Sequence, residues 1–206
     1  MKKKKLNKLL LIVTGGIASY KAIDLMRFAL KDNYDIECIL TNSVSNFVSP
    51  MTFNSLLGKQ VYSELFSLNE NSKMKHIDLS NSVDLIVVVP ATANFIGKLA
   101  NGIGDDLAST TILASKCPLF IAPAMNDGMF ENLAVKSNIK TLRKRGVKIL
   151  EPQFGKLACG TIGKGKLMDI ELIYENIKSF FKKSILLKDK KAIVTSGPSL
   201  ENFDPV

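Results

Sequence analysis

Short runs of apolar residues recur along the chain, and polar or helix-forming segments separate them. The clearest run is Leu85–Val89, five apolar residues of which four are β-branched. A strand that is apolar on both faces is typical of a parallel sheet covered by helices. Similar runs predict strands at Leu9–Val13, Asp35–Leu40, Gly58–Tyr62, Pro118–Ala122 and Val147–Leu150. The pattern predicts an α/β fold, a three-layer doubly wound parallel sheet of about six strands.

Amphipathic segments between these runs predict the helices. Apolar residues at helical spacing predict helices over Ile17–Lys31, Asn94–Ala100, Asp105–Ser115 and Glu131–Arg145. Asp105 is the predicted N-cap of one of them, and Asp169 is predicted to cap a last helix. Ser63–Ser82 is predicted to be polar and irregular. Glu151–Lys166 carries four glycines and is predicted to be a long loop that acts as a lid.

Glycine and polar residues follow several predicted strands at their carboxyl ends, where open α/β sheets bind ligands. Gly15 and Gly16 join a strand to a helix, a geometry that binds phosphate through free N–H groups, although the GxGxxG pattern is absent. Ser43, Pro90–Asn94 and Asn126 follow other strands. Each has a structural alternative, because glycines also simply connect elements, hydroxyls cap helices and asparagine fills turns.

The cysteines and the single histidine limit the chemistry. Three cysteines without a CxxC pair argue against a disulfide framework, and one histidine excludes paired-histidine sites, so no metal is predicted. Cys38 and Cys117 belong to apolar segments and are predicted core residues. Cys159 lies in the glycine-rich segment, where an accessible thiol can react. His76, taken alone, is more typical of a structural or surface residue than of a catalytic one.

Charge and composition narrow the class of protein. The 206 residues are 46% hydrophobic, and 28 basic and 19 acidic side chains give a formal net charge of +9. The basic residues cluster at Lys2–Lys5, Arg143–Arg145 and Lys188–Lys191 without an aromatic–basic pattern, which favours solvated faces or small anionic ligands over nucleic acid. The first apolar run is too short for a signal peptide, and none spans a membrane, so we expect a cytoplasmic protein.

Residues 1–186 are predicted to form one complete domain. Lys188–Lys191 forms a basic linker, and Ala192–Val194 starts another strand, followed by a loop at Thr195–Pro198. No helix follows before Val206. Residues 187–206 are therefore predicted to be a linker and the truncated start of a second α/β domain.

Several short motifs give the chain a resemblance to a known family. They are Thr14–Ala18, Pro90–Asn94, Gly102–Asp106, Pro123–Asn126, Met129 and Ala158–Gly160. In this order they resemble the motifs of flavin-containing cysteine decarboxylases. More narrowly, they resemble the phosphopantothenoylcysteine decarboxylase domains of bifunctional coenzyme A biosynthesis proteins, whose second domain is a phosphopantothenate–cysteine ligase. The resemblance covers nearly the whole chain, implies a Rossmann- or flavodoxin-like fold, and extends to the ligase-like segment from Gly197 to Val206.

This sequence departs from the family pattern at three places near the implied site. Phe130 stands in place of the usual tryptophan, Thr161 in place of an acid, and the pair Lys166-Leu167 in place of arginine and methionine. The lysine keeps the positive charge but loses the bidentate fork of the guanidinium group.

The resemblance implies FMN-dependent decarboxylation of 4′-phospho-N-pantothenoylcysteine to 4′-phosphopantetheine. The thiol carbon would first be oxidised to a thioaldehyde, CO2 loss would leave an enethiol, and the enethiol would then be reduced. The implied catalytic residues are His76 as base or electrostatic partner, Asn126 for the substrate carboxylate and Cys159 as proton donor. The implied FMN-binding residues are Gly15, Gly16, Ile17, Ser43, Thr92, Ala93, Asn94, Phe95 and Ala124. The implied substrate-binding residues are Asn126, Met129, Ala158, Gly160 and Lys166.

The resemblance also implies an assembly and leaves two alternatives open. Homo-oligomers are expected, as trimers or dodecamers built from trimers, with flavin sites between subunits and a fused ligase domain. One alternative is a peptidyl-cysteine decarboxylase, which shares the chemistry but not the ligase-like tail. The other is a non-catalytic flavin-binding regulatory subunit, and the presence of His76, Asn126 and Cys159 together argues against it.

Overall fold

The structure, a computed structural model, describes residues 6–65 and 75–186. Within these ranges, a parallel sheet has the order β2-β1-β3-β4-β5, formed by β1 (Lys8–Val13), β2 (Asp35–Leu40), β3 (Leu85–Ala91), β4 (Leu119–Pro123) and β5 (Lys148–Ile149). A separate antiparallel hairpin consists of β6 (Gln153–Lys156) and β7 (Ile162–Lys166). The α-helices are α1 (Lys21–Lys31), α2 (Pro50–Leu57), α3 (Lys75–Ser82), α4 (Ala93–Asn101), α5 (Leu107–Ala114), α6 (Asp127–Glu131), α7 (Leu133–Lys144) and α8 (Ile170–Leu186). Two 3-10 helices span Ile17–Tyr20 and Asn42–Asn46.

The strand order identifies the edge of the sheet at which a ligand is expected to bind. The chain winds outward from β1 to β2 and then crosses to β3 on the other side of β1, so strand order reverses between β1 and β3. This is the flavodoxin-type order, and ligands bind beyond the carboxyl ends of the strands at such a reversal. The predicted doubly wound α/β fold is confirmed.

The central strand β3 holds two cores together, and all seven of its residues are buried. Leu85, Val87 and Val89 face the first core, which α1, α2 and α8 cover. Ile86 and Val88 face the second core, which α3, α4, α5 and α7 cover. The alternation follows from the two-residue repeat of a strand and explains why the run is apolar on both faces. None of the helices in the described part of the chain is long and apolar enough to cross a bilayer.

Three predicted segments take a different form. The predicted strand Gly58–Tyr62 forms only a single bridge between Tyr62 and Ile39, so the described sheet has five strands rather than about six. The segment Ser63–Ser82 is not irregular throughout, because α3 begins at Lys75. Its helix is hard to see in the sequence because Leu79 is its main core contact. The predicted loop Glu151–Lys166 contains the β6–β7 hairpin instead, and two of its glycines, Gly163 and Gly165, are in close contact with the segment after β4.

Helix boundaries also differ from the prediction. The predicted helix Glu131–Arg145 is divided between α6 and α7, because the Asn132 side chain accepts the Ala134 N–H and starts a new helix. Asp106 rather than Asp105 is the N-cap of α5; its carboxylate accepts the Ser109 N–H at 2.7 Å.

The first predicted helix begins as the 3-10 helix and becomes α-helical at Lys21. Cys38 is buried as predicted, whereas Cys117 is only partly buried. The predicted linker and second-domain start, residues 187–206, lie outside the described residues.

We expect α8 to contribute strongly to stability through its buried face. Ile173 is 0% exposed in the first core, whereas its neighbour Leu172 is 43% exposed. Ile173→Ala should lower the free energy of unfolding by about 2–5 kcal/mol, because it leaves a cavity. Leu172→Ala, the matched control, should change it by less than about 0.5 kcal/mol. Urea unfolding measures both, and equal losses would contradict this packing of α8.

Candidate active site

A cavity of about 630 Å³ opens at the carboxyl edge of the sheet. Its volume is in the range typical of small-molecule sites, ~300–1,000 Å³. Four segments form its wall: the 3-10 helix after β1, the loop after β3, the segment after β4, and the β6–β7 hairpin. The wall residues are Gly16, Ile17, Ala18, Tyr20, Lys21, Pro90, Thr92, Ala93, Ala124, Met125, Asn126, Met129, Lys156–Cys159 and Gly165–Leu167.

The buried hydroxyl of Thr14 fixes the two loops that start this wall. It donates to the Pro90 carbonyl at 2.8 Å and accepts the Thr92 N–H at 3.1 Å. The Thr92 side chain in turn accepts the Phe95 N–H at 3.3 Å and caps α4. With both of its hydrogen-bonding functions used, Thr14 can be buried at the end of an apolar strand without an unsatisfied polar group. It holds the ends of β1 and β3 in a fixed relation.

The glycine turn after β1 is held by a second buried hydroxyl. Ser19 accepts the Gly16 N–H at 3.1 Å and donates to the Thr14 carbonyl at 2.9 Å. A Cβ atom on Gly15 would lie 2.5 Å from the Ser43 Cβ and would overlap its hydroxyl, so only glycine fits there. The turn and the Ser43 hydroxyl therefore form a polar cradle beside the cavity. The Ser43 hydroxyl can donate to a phosphate monoester such as that of FMN, whereas the Gly16 N–H is already bonded to Ser19.

Asn126 and Cys159 meet at the mouth of the cavity. The Asn126 side-chain oxygen accepts the Gly128 N–H at 2.8 Å and caps α6. Its amide nitrogen is thereby turned toward Cys159, whose sulfur lies 3.4 Å away. Asn126 thus fills the turn role that the sequence left open and also presents an amide to the cavity.

The hairpin is held against this segment by glycine contacts. Gly165 has a φ of +144°, and a Cβ atom there would overlap the Met125 carbonyl oxygen. The Met125 N–H donates to the Gly165 carbonyl at 3.1 Å. A Cβ atom on Gly163 would lie 2.5 Å from the Asp127 Cβ. Because no side chain intervenes, β7 approaches the segment after β4 closely enough to bring Cys159 to Asn126.

Cys159 is exposed, and its sulfur has two polar neighbours on the protein. The Thr161 hydroxyl lies 3.1 Å from the sulfur, and the Asn126 amide lies on its other side. Hydrogen bonds from Thr161, and secondarily from Asn126, hold the pKa of the Cys159 thiol below its usual range. A lowered pKa favours the thiolate, the form that results when the thiol gives up a proton.

Three lysines, Lys21, Lys156 and Lys166, bring positive charge to the cavity wall. The Lys166 ammonium lies 3.9 Å from the Asp169 carboxylate and is only partly neutralised by it. A basic wall of this kind suits anionic ligands that carry phosphate or carboxylate groups.

The structure brings most of the predicted site residues to this cavity. Those on its wall are Gly16, Ile17, Thr92, Ala93, Ala124, Asn126, Met129, Ala158, Cys159 and Lys166. Gly15 and Ser43 stand beside the wall, and Gly160 lies at the hairpin tip with a φ of +89°. Two residues of α4 are not on the wall: Phe95 is buried in the second core, and Asn94 is exposed on the first turn.

His76 is the predicted catalytic residue that the chain does not bring to the site. It lies at the start of α3, whose Leu79 packs into the second core, and it is not part of the cavity wall. Four other residues that shape or line the cavity were not predicted to do so: Thr14, Ser19, Lys21 and Lys156. Thr14 had a recognisable signal, a hydroxyl directly after an apolar strand and before two glycines. Lys156 had none, because the hairpin itself was not recognised.

Comparison with known proteins places this geometry in a family. The family model described as Flavoprotein matches residues 1–182. The chain belongs to the flavoprotein family. Among similar proteins, the coenzyme A biosynthesis bifunctional protein CoaBC of Bacillus subtilis (strain 168) is 45% identical over 199 residues, which cover 96% of this chain. The chain spans about half the length of that relative, 49%.

Solved structures share the fold of this flavoprotein. A PPC decarboxylase variant complexed with pantothenoylaminoethenethiol has a TM-score of 0.79 and 28% identity, with 86% of this chain and 100% of that chain covered. The FMN-dependent cysteine decarboxylase SpaF has a TM-score of 0.73 and 28% identity, with 84% of this chain and 96% of that chain covered. The family resemblance predicted from the motifs is confirmed.

We predict that the glycine contact at Gly165 is essential for the position of the hairpin in this flavoprotein. Gly165→Ala should displace β7, because its Cβ atom would overlap the Met125 carbonyl oxygen and its φ is unfavourable for alanine. Exchange of the Met125 amide hydrogen, measured by NMR, should become faster. Gly155→Ala on the paired strand is the control, because its Cβ atom meets only the Lys166 Cδ at 3.4 Å. Unchanged Met125 protection in Gly165→Ala would refute this role.

Proposed function

We propose that this flavoprotein is an FMN-dependent phosphopantothenoylcysteine decarboxylase that forms 4′-phosphopantetheine for coenzyme A biosynthesis. The observation that carries the proposal is the pair of Asn126 and Cys159, 3.4 Å apart at the mouth of a cavity with a glycine turn on its wall. The 45% identity to CoaBC and the similarity to a PPC decarboxylase structure support the choice of this reaction.

The cofactor addresses a chemical difficulty in the substrate. Direct loss of CO2 from the cysteine carboxylate would leave an unstabilised carbanion. Bound FMN would supply reversible two-electron oxidation at the thiol carbon, so that a thioaldehyde can act as the electron sink during CO2 loss. Gly15, Gly16, Ile17 and Ser43 would hold its phosphate. Thr92, Ala93 and Ala124 would border the rest of the cofactor along the strand ends.

Asn126 is suited to hold the substrate carboxylate. Its amide nitrogen carries two hydrogens, of which one faces the Cys159 sulfur and the other is available for a ligand. The amide is neutral, so it orients the carboxylate without the strong stabilisation that a cation would give to the group that must leave. Met129 and Ala158, which also line the cavity, would contact the apolar part of the substrate.

Cys159 is suited to supply the proton for the last step. It lies on the hairpin opposite Asn126, so a substrate whose carboxylate is bound by Asn126 would bring the neighbouring carbon close to its sulfur. When the enethiol is reduced, one carbon takes up a hydride and its neighbour a proton, and the Cys159 S–H would give that proton. The positive charges of Lys21, Lys156 and Lys166 would attract the phosphate groups of cofactor and substrate.

We further propose that the protein forms homo-oligomers with sites between subunits, as trimers or dodecamers built from trimers. His76 is not among the residues that line the cavity of its own chain, so a catalytic role for it would require a neighbouring copy. Large apolar side chains exposed at the rim support such a contact: Ile17 is 62% exposed and Tyr20 54% exposed. Residues 1–186 would be the decarboxylase domain, and residues 187–206 would lead into a ligase domain, in keeping with the half-length match to CoaBC.

The reaction can be tested with two substitutions at the site. Cys159→Ser should still release CO2 but accumulate the enethiol, because the proton donor for the last step is missing. Asn126→Asp should bind FMN, since aspartate also caps a helix, yet fail to turn over because two carboxylates repel. Mass spectrometry of products and the visible spectrum of bound flavin measure both results. Normal 4′-phosphopantetheine yield from Cys159→Ser would remove Cys159 from the mechanism.

Controls separate this reaction from its alternatives. Cys117→Ser, which removes a thiol that is not on the cavity wall, should retain the wild-type product yield. A peptide with a carboxyl-terminal cysteine should be a poor substrate; preference for that peptide over the phosphorylated substrate would favour the peptidyl-cysteine decarboxylase alternative.

The shared site can be tested by mixing inactive subunits. We expect His76→Asn and Cys159→Ser variants each to give little final product, because each lacks one catalytic group. Co-expression of the two should restore part of the activity, since some interfaces then combine an intact His76 with an intact Cys159. The Asn126→Asp and Cys159→Ser pair is the control without rescue, because both residues lie in the same chain's cavity. Failure of the first pair to recover would refute a His76 contribution across subunits.

A further inference from the structure

We propose that Thr161 is a positioning residue for Cys159: its hydroxyl donates to the sulfur, leaves the S–H directed at the cavity and then stabilises the thiolate after proton transfer. The inference rests on the proposed function for the identity of the proton acceptor. It concerns a residue at which this chain departs from the usual acid of the related family.

The backbone of the hairpin tip fixes the two side chains relative to each other. The Leu157 N–H donates to the Thr161 carbonyl at 2.8 Å, and the Gly160 N–H donates to the Leu157 carbonyl at 2.9 Å. Gly160 adopts a φ of +89°, which closes the turn between Cys159 and Thr161. The Thr161 Oγ1 is consequently held 3.1 Å from the Cys159 sulfur, within hydrogen-bonding distance.

The surroundings of Asn126 fix the direction of its hydrogen bond to Cys159, whereas either partner of the Cys159–Thr161 pair could be the donor. Because the Asn126 oxygen accepts the Gly128 N–H, the group facing the sulfur is the NH2, which can only donate. If Cys159 donated to Thr161, its proton would point at a residue that is not on the cavity wall. If Thr161 donates instead, the sulfur accepts two hydrogen bonds and its own proton remains for the substrate. The same two donors then stabilise the thiolate that is left.

Charged groups near the sulfur do not provide this effect. Lys156 and Lys166 lie on the same hairpin, and Asp127 of α6 packs against Gly163. The pKa of Cys159 is lowered chiefly by hydrogen bonds from Thr161 and then from Asn126. A carboxylate at position 161 would act in the opposite sense, because its negative charge opposes the formation of a thiolate. Threonine therefore stabilises the thiolate without adding charge.

Thiol alkylation of the 206-residue chain with iodoacetamide, followed at the Cys159 peptide by mass spectrometry across a pH series, tests this role without catalysis. Thr161→Val, which keeps the branched shape but loses the hydroxyl, should move the alkylation midpoint to higher pH. Thr161→Asp should move the midpoint further in the same direction. Thr161→Ser, which keeps the hydroxyl, should retain the wild-type profile. In the holoenzyme, Thr161→Val should slow conversion of enethiol to product about two- to tenfold, the effect of one lost hydrogen bond.

The outcomes separate this role from the proposed reaction. Coincident alkylation profiles for wild type, Thr161→Val and Thr161→Ser would overturn the positioning role even if decarboxylation is confirmed. Shifted profiles in a chain that releases no CO2 from the phosphorylated substrate would uphold the Thr161–Cys159 contact and overturn the proposed reaction. A slower final step with unchanged CO2 release and unchanged substrate KM in Thr161→Val would support both.

Discussion

The close approach of β7 to the segment after β4 is the contact on which the site depends. Gly163 and Gly165 lack side chains where Asp127 and the Met125 carbonyl need the space. Any larger residue at these positions would push the hairpin outward, and the Asn126–Cys159 pair would separate. The strand ends that form one half of the site are fixed by the buried sheet, because β3 is buried on both faces. The hairpin that forms the other half is positioned only by the backbone contacts at Gly163 and Gly165.

The sequence was sufficient to predict the sheet and the edge at which the site lies. Strands that are buried on both faces are continuously apolar, so Leu85–Val89 identified the central strand and with it the carboxyl edge. The residues directly after these strands, among them Gly16, Thr92 and Asn126, had to meet at that edge because parallel strands end together. This part of the site follows from topology and required no knowledge of side-chain contacts.

The remainder depends on contacts between residues distant in sequence. A glycine-rich segment is typical of a loop, and only the fit against Met125 and Asp127 shows that its glycines serve an antiparallel hairpin. The role of Thr14 depends on hydrogen bonds to Pro90 and Thr92, which are far from it along the chain. The position of His76 outside the wall could not be predicted either, because a short polar helix has too few apolar residues to reveal which core it covers.

The hairpin is a single continuous stretch that adds the exposed Cys159 thiol to a sheet otherwise complete without it. Such an arrangement lets the two halves of the pocket evolve at different rates. The strand ends are constrained by the buried core, whereas the hairpin needs to preserve only its two points of attachment. Exchanging this stretch for that of a relative would therefore change the outer wall of the cavity and leave the sheet beneath it untouched.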